Sequence, residues 1–333
     1  MGKEGRDGED GREGKEREKM TMKNKRVGVI DIGTLKVKAE IAEISGGKTE
    51  TVFRSSVLTC LGLRMAENNN KPLPANLRKT LKELIRFKHI FKEQKTEDIR
   101  VVSTHAFREM GKEGERLAAS IRAKIGLPVE IISQKEEAEL FFSAVMADFT
   151  TDEDFTVIDL GGGTLQALIG NKERLKETHL LKMGAQYLHD TFSPRHTRHD
   201  CPTNEEMKTM EKYILEQLSV IPKDIKTPVI YGSACIIDAF RAIGLKMENF
   251  PHSPSHPHKT KVEELENFLS AIIPVPYGER EKRFSFRPGY MWGIDKAFLA
   301  VTSLCRHLSS PYIVPSNADI SRGIILGMTK KLG

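Results

Sequence analysis

Long apolar runs are missing. No stretch of the 333 residues reaches the roughly 20 apolar residues that a bilayer-spanning helix requires. Cysteine is scarce: Cys60, Cys201, Cys235 and Cys305 are scattered and form no CxxC pair. That argues against a disulfide framework or a thiolate metal site, and it fits a reduced, cytoplasmic compartment. Trp292 is the only tryptophan and is expected to pack rather than to stack on a base. Residues 1–25 contain no Val, Ile, Leu or Phe. Such a segment cannot offset the entropy of ordering, so a disordered charged leader is expected there. Its charge, with no apolar core region behind it, excludes a secretory signal. The histidines lack metal-ligand spacing: His252, His256 and His258 sit among prolines, and His196 and His199 in another loop. The net charge of +6 suits a polyanionic ligand, but no aromatic interleaving or reader module supports nucleic-acid binding.

What is present centres on Phe155 to Gly170, FTVIDLGGGTLQALIG. An apolar strand ends in Asp159, Gly161, Gly162 and Gly163 follow, and Thr164 opens a second apolar run. Consecutive glycines free the backbone to aim its N–H groups at one point, which suits a phosphate. Asp159 at the strand end can hold a magnesium ion against that phosphate, directly or through water. A plain hairpin with a glycine turn is the competing explanation. A relative of the stretch lies near the start: VIDIGT at Val29 to Thr34 repeats the strand, the Asp (Asp31) and the turn (Gly33, Thr34) of VIDLGGGT. The repeat predicts two similar halves whose turns face each other across a cleft.

Each half runs from strand-rich to helix-rich. In the first, strands are expected to Ile30, over Val37 to Ile44 and near Thr51 to Leu58. A helix follows over Leu73–Phe91, a strand over Ile99–Ser103, a helix over Gly114–Ile125 and a strand over Val129–Ile132. Ser133 and Glu136 have the spacing of a capping box at the next helix, which gives Glu136 a structural role and leaves Glu137 without one. In the second half, strands are expected at 155–160, 164–170, 174–181, Val229–Gly232 and around Tyr312, with helices between them. Residues 247–260 read as a Pro/His loop, and Ile320–Leu332 as a terminal helix that packs back on the first half. The domains are accordingly set at 26–143 and 144–333 behind the leader.

Four segments carry a resemblance to a known family. VVSTHAFREM is similar to a Thr-x-Ala-x-Arg segment, IISQKEEAELFF to Ile-Ser-Gly-x-Glu-Glu-Ala, VIDLGGGT to a phosphate loop, and KMGAQYL to Leu-Gly-Ala-x-Arg-Leu. In this order, over residues 26–195, they resemble the exopolyphosphatase and guanosine pentaphosphate phosphatase family. The resemblance implies an α/β protein with the two-domain, ribonuclease-H-like fold of actin, sugar kinases and heat-shock ATPases, made of duplicated βββαβαβα halves around a central cleft. It implies release of terminal phosphate from inorganic polyphosphate or guanosine pentaphosphate, with Mg2+. Glu137 matches the catalytic Glu that positions or deprotonates water, and Arg108 the Arg that lines the phosphate channel. Gly161, Gly162, Gly163 and Thr164 match the phosphate loop, with Gly33 and Thr34 opposite, and Asp159 and Asp31 fall at the metal site. Members often form homodimers, although no residue here reports one.

The chain departs from the family pattern in places. Gln166 stands where a Glu is usual, which weakens or reshapes a metal site but still allows a water to be oriented. Leu35 and Lys36 replace Asn and Ser in the first loop, and Lys38 replaces Arg; Lys36 can add a phosphate contact. Tyr187 replaces an Arg, and Gly232–Ala234 a Gly-Gly-Thr loop. These changes leave a second option open, a protein that binds polyphosphate or guanosine polyphosphate with little turnover. A kinase or ATPase on the same scaffold is a third, less favoured because no adenosine pocket is apparent.

Overall fold

The computed structural model describes residues 24–330 apart from 47, 66–67, 224–226, 234, 285 and 288. The expected leader up to residue 23, Ala234, and the last residues of the expected terminal helix lie outside the described residues.

Five strands form the first sheet: β1 (Lys25–Ile32), β2 (Lys36–Ser45), β3 (Lys48–Leu58), β4 (Asp98–Ser103) and β5 (Val129–Ile131), in the order β3-β2-β1-β4-β5. The second sheet contains β6 (Phe155–Leu160), β7 (Leu165–Gly170), β8 (Leu175–Leu181), β9 (Val229–Gly232), β10 (Glu248–Asn249), β11 (His258–Lys261) and β12 (Tyr312–Ser316). Its order is β10-β11-β12-β9-β6-β7-β8. Both sheets share one plan. The strand that ends in Asp pairs antiparallel with the next strand and parallel with the later one: β1 with β2 and β4, β6 with β7 and β9. The repeat seen in the sequence is thus a repeat of topology, and β10–β11 extend only the second sheet. They arise inside the segment expected to be a Pro/His loop, where two short antiparallel pairings were hidden by the prolines.

Alternation along β1 explains where its aspartate goes. Ile30 and Ile32 face a core with α1 (Pro74–Glu93) and α3 (Lys112–Ile125), while Val27 and Val29 face the opposite side. Asp31 continues the Val27–Val29 face, because side chains on a strand repeat every two residues. In β6, Phe155 and Val157 likewise share one face, and Asp159 continues it. A proline in its first turn starts α1, and Gly126 in a left-handed conformation (φ +72°) ends α3.

The two inner faces are covered crosswise. The helix α4 (Gln134–Met146) closes the first half in sequence, yet its Ala138, Phe141, Phe142 and Val145 pack with Phe155, Val157, Leu168, Ile230 and Val314 of the second sheet. The terminal helix α11 (Ile320–Lys330) returns to the first sheet, burying Ile320, Ile324 and Ile325 against Val27, Val29, Ala42 and Val102. Residue 143, expected as the domain boundary, falls inside α4. Among the described residues no helix is long and apolar enough to cross a membrane.

Candidate active site

Residues of both sheets line a single cleft of about 1070 Å³, which contains Asp31, Gly33, Thr34, Lys36, Arg108, Glu137, Asp159, Gly161, Gly162, Gly163, Thr164 and Gln166. Every sequence-derived candidate is therefore brought to one place. The two glycine turns face each other closely enough that a side chain on Gly162 would stand 3.4 Å from Leu35.

Each turn has its carbonyls tied back. In the first, Thr34 and Leu35 carbonyls accept from Gly62, Thr59 and Cys60 at 2.8–2.9 Å. In the second, the start of α5 (Ala185–Phe192) does the work. The N–H groups of Gly184, Ala185 and Tyr187 donate to the carbonyls of Gly163, Gly161 and Gly162 at 3.2, 3.0 and 2.9 Å. The Gly33 and Gly161 N–H groups close their turns on the Lys36 and Thr164 carbonyls at 2.9 Å, and with the other carbonyls tied back, the later N–H groups of each turn are left to meet an anion. Gly184 permits this approach: a Cβ there would lie 2.4 Å from the Thr164 nitrogen and 2.5 Å from the Gly162 carbonyl. Its φ of −68° asks for no special conformation, so the need for glycine is one of space.

Carboxylates form the floor. Asp31 is buried, and its Oδ1 has no hydrogen-bond partner. Burial pushes its carboxyl up to about 6; Lys38 opposes the rise, and Asp319 and Glu137 add to it. Asp159 is pushed up to about 7, first by its depth in the cleft and then by Glu137, Asp31 and Asp319, against the pull of Lys38. Burial would lower Lys38, but Asp319, Asp31 and Asp159 outweigh it and hold the ammonium above its usual value. Lys36 is moved the other way: burial, then the positive charges of Lys38 and Arg287, lower it against an opposing influence from Cys235.

Glu137 sits in the first turn of α4, and its Oε2 takes a 2.6 Å bond from Arg108 Nη2. Arg108 belongs to α2 (His105–Met110) and also donates to the Ile132 carbonyl at 2.9 Å and to Gln134 Oε1 at 3.3 Å. Glu137 thus comes to Arg108 from the helix that follows β5, far from it in sequence. The capping box forms by half: Ser133 accepts from the Glu136 N–H, but the Glu136 side chain reaches Arg100 at 2.7 Å instead of its own N-cap. Gln166 lies opposite Asp159 in the β6–β7 ladder and is buried at the cleft floor.

Asp319, which carried no motif in the sequence, and His105, the variable position after Thr104 in the Thr-x-Ala-x-Arg segment, also line the cleft. Trp292 packs as expected, its ring 4.5 Å from Tyr277 and 5.1 Å from His189, and it also lines the cleft. The partnerless Asp31 oxygen and the Asp159 carboxylate are hard donors of the kind magnesium takes. They fit an ion that completes its shell with phosphate oxygens and water. Among the described residues no group of three or more His, Cys, Asp or Glu is placed to hold a metal, so the protein alone does not enclose one.

Known proteins resemble this chain in sequence and in fold. The sequence model of the Ppx/GppA phosphatase family matches residues 40–330. Exopolyphosphatase 2 of Mycobacterium tuberculosis is 23% identical over 320 residues, covering 91% of this chain and 98% of that protein. The crystal structure of the Aquifex aeolicus Ppx/GppA family member superposes with a TM-score of 0.76 at 22% identity, over 93% of this chain and 99% of that one. An exopolyphosphatase from Cytophaga hutchinsonii gives 0.78 at 21% identity, over 92% and 98%. At such identities the superpositions speak to fold alone, and the fold is the duplicated one that the family resemblance implied, with the two similar halves that the repeat predicted. Matched along most of its length, the chain belongs to the Ppx/GppA phosphatase family.

Proposed function

We propose that this protein is a Mg2+-dependent phosphohydrolase that releases terminal phosphate from inorganic polyphosphate or guanosine pentaphosphate. The observation that carries the proposal is the pair of glycine turns facing one cleft with their carbonyls tied away from it, and Glu137 beside them. A loose phosphoryl-transfer transition state asks for a fixed phosphate, neutralised oxygens and an aligned water, and little covalent chemistry. The N–H groups of Thr34, Gly162 and Gly163 hold the phosphates, while those of Gly33 and Gly161 close their own turns on the Lys36 and Thr164 carbonyls at 2.9 Å. Arg108 supplies a fixed positive charge beside the phosphates. The Glu137 carboxylate, oriented by Arg108, aligns the water and takes its proton. Lys36 and Gln166 complete the walls, with Gln166 as a second water-orienting group. Asp31 and Asp159 would hold the metal, which when bound neutralises charge on the phosphate oxygens. The names of the relatives support polyphosphate as the first substrate to try. A cytoplasmic location fits the same reading.

The test is phosphate release, by molybdate dye, from long-chain polyphosphate and from guanosine pentaphosphate. Glu137→Gln should lower release by ~100- to 10,000-fold while polyphosphate binding persists. Wild-type release no greater than that of Glu137→Gln would overturn hydrolysis. If it came with tight binding, it would favour the binding protein that the amide of Gln166 suggests, and Gln166→Glu should then gain turnover.

A further inference from the structure

We propose that Lys38 is the built-in counter-ion of this cleft. It keeps free divalent cations off the carboxylates until a phosphate chain brings the metal in. Lys38 Nζ lies 3.3 Å from Asp319 Oδ2 and 3.7 Å from Asp31 Oδ2. Backbone pairing sets this position, because Lys38 is the cross-strand partner of Asp31 in the β1–β2 ladder. Asp31 and Asp319 are each only 5% exposed, so neither carboxylate can swing into solvent to receive an ion elsewhere.

A metal arriving alone meets a fixed ammonium within 4 Å of one of its carboxylates. Across from Asp159 it finds Gln166, which brings no charge. Magnesium and manganese both want six oxygens; two carboxylates beside a cation are a poor offer. A phosphate chain alters the balance by supplying several oxygens and negative charge together. The glycine turns then grip the anion, and Asp31 Oδ1, which has no partner, is left to complete the metal's shell. The inference rests on the phosphohydrolase reading for the identity of the anion, but not for the behaviour of the cleft toward metal alone.

Mn2+ titration of the full chain at pH 8, read by the loss of the free-ion paramagnetic resonance signal, separates the two. Wild type and Lys38→Arg should leave millimolar Mn2+ free. Lys38→Met and Lys38→Gln should bind about one ion per chain at least tenfold more tightly. Adding a methylene-bridged triphosphate should make wild type carry about one Mn2+ through gel filtration, where the protein-free triphosphate complex elutes separately. If wild type takes up Mn2+ alone as tightly as the neutral variants, Lys38 is no barrier and the proposal is wrong. It is equally wrong if the folded neutral variants gain nothing. Should neither variant fold, stoichiometric Mn2+ uptake by wild type alone still refutes it, and uptake only with the triphosphate still supports it. Calorimetry of the triphosphate without metal tests the phosphohydrolase reading separately; a null result there leaves the metal-alone arms decisive for Lys38.

Discussion

At the scale of single residues, the site holds acids where they are costly. Asp31 is raised to about 6 in the folded chain against an ordinary value of 3.8. The folded state therefore keeps the proton that the unfolded state gives up. Stability contributed by this group is complete below pH 3.8, is lost between about 3.8 and 6, and falls no further above that. The loss is on the order of 3 kcal/mol. Asp31→Asn should accordingly melt at a higher temperature than wild type at pH 8, with the difference fading toward pH 4, while its phosphate release is abolished. Calorimetric scans at several pH values check this; a variant less stable than wild type at pH 8 would contradict it. Asp31 and Asp159 were legible in the sequence because each closes an apolar strand before a glycine turn, a pattern local enough to read. Asp319 was not. It stands ahead of α11 with no motif, and it matters only because Lys38 reaches it from a strand far away in the chain. The bond between Arg108 and Glu137 was hidden for the same reason: a turn, a helix and a strand separate residues that meet in space.

Among elements, α5 is the one that sets the second glycine turn. The N–H groups of Gly184, Ala185 and Tyr187 are spent on the glycine carbonyls, so the helix start buttresses the turn. Gly184→Ala would drive a methyl into the Thr164 nitrogen and the Gly162 carbonyl, and backbone atoms cannot step aside as a flexible side chain can. Overpacking of this kind costs ~1–3 kcal/mol. The expected result is a modest fall in melting temperature and a fall of tenfold or more in phosphate release, with a larger effect on KM than a purely structural lesion would give. Unchanged kinetics would show that α5 does not set the turn. The sequence located KMGAQYL by resemblance, but not this function, because hydrogen bonds from a helix to a loop leave no periodicity. Periodicity did reveal α1, α3 and the paired hairpins of each half. The short β10–β11 ribbon was lost because its strands are two and four residues long, too short to show alternation.

For the whole molecule, the meeting of α4 and α11 joins the halves. A Cβ on Gly323 would come 2.0 Å from the Leu140 carbonyl oxygen, so the helix backbones touch at this point. Gly323→Ala should destabilise the entire chain by ~1–3 kcal/mol or more, read as a single shifted melting transition. Gly327→Ala, in the same helix with nothing within 4 Å, should instead stabilise by ~0.5–1 kcal/mol. Equal effects of the two changes would mean that helix propensity and not contact governs this crossing. The exchange of covers also bears on how the protein is made. Val27, Val29, Ala42 and Val102 receive their lid from residues 320–325, so on the ribosome this sheet waits, one greasy side bare, until the chain has grown roughly 200 residues past its last strand.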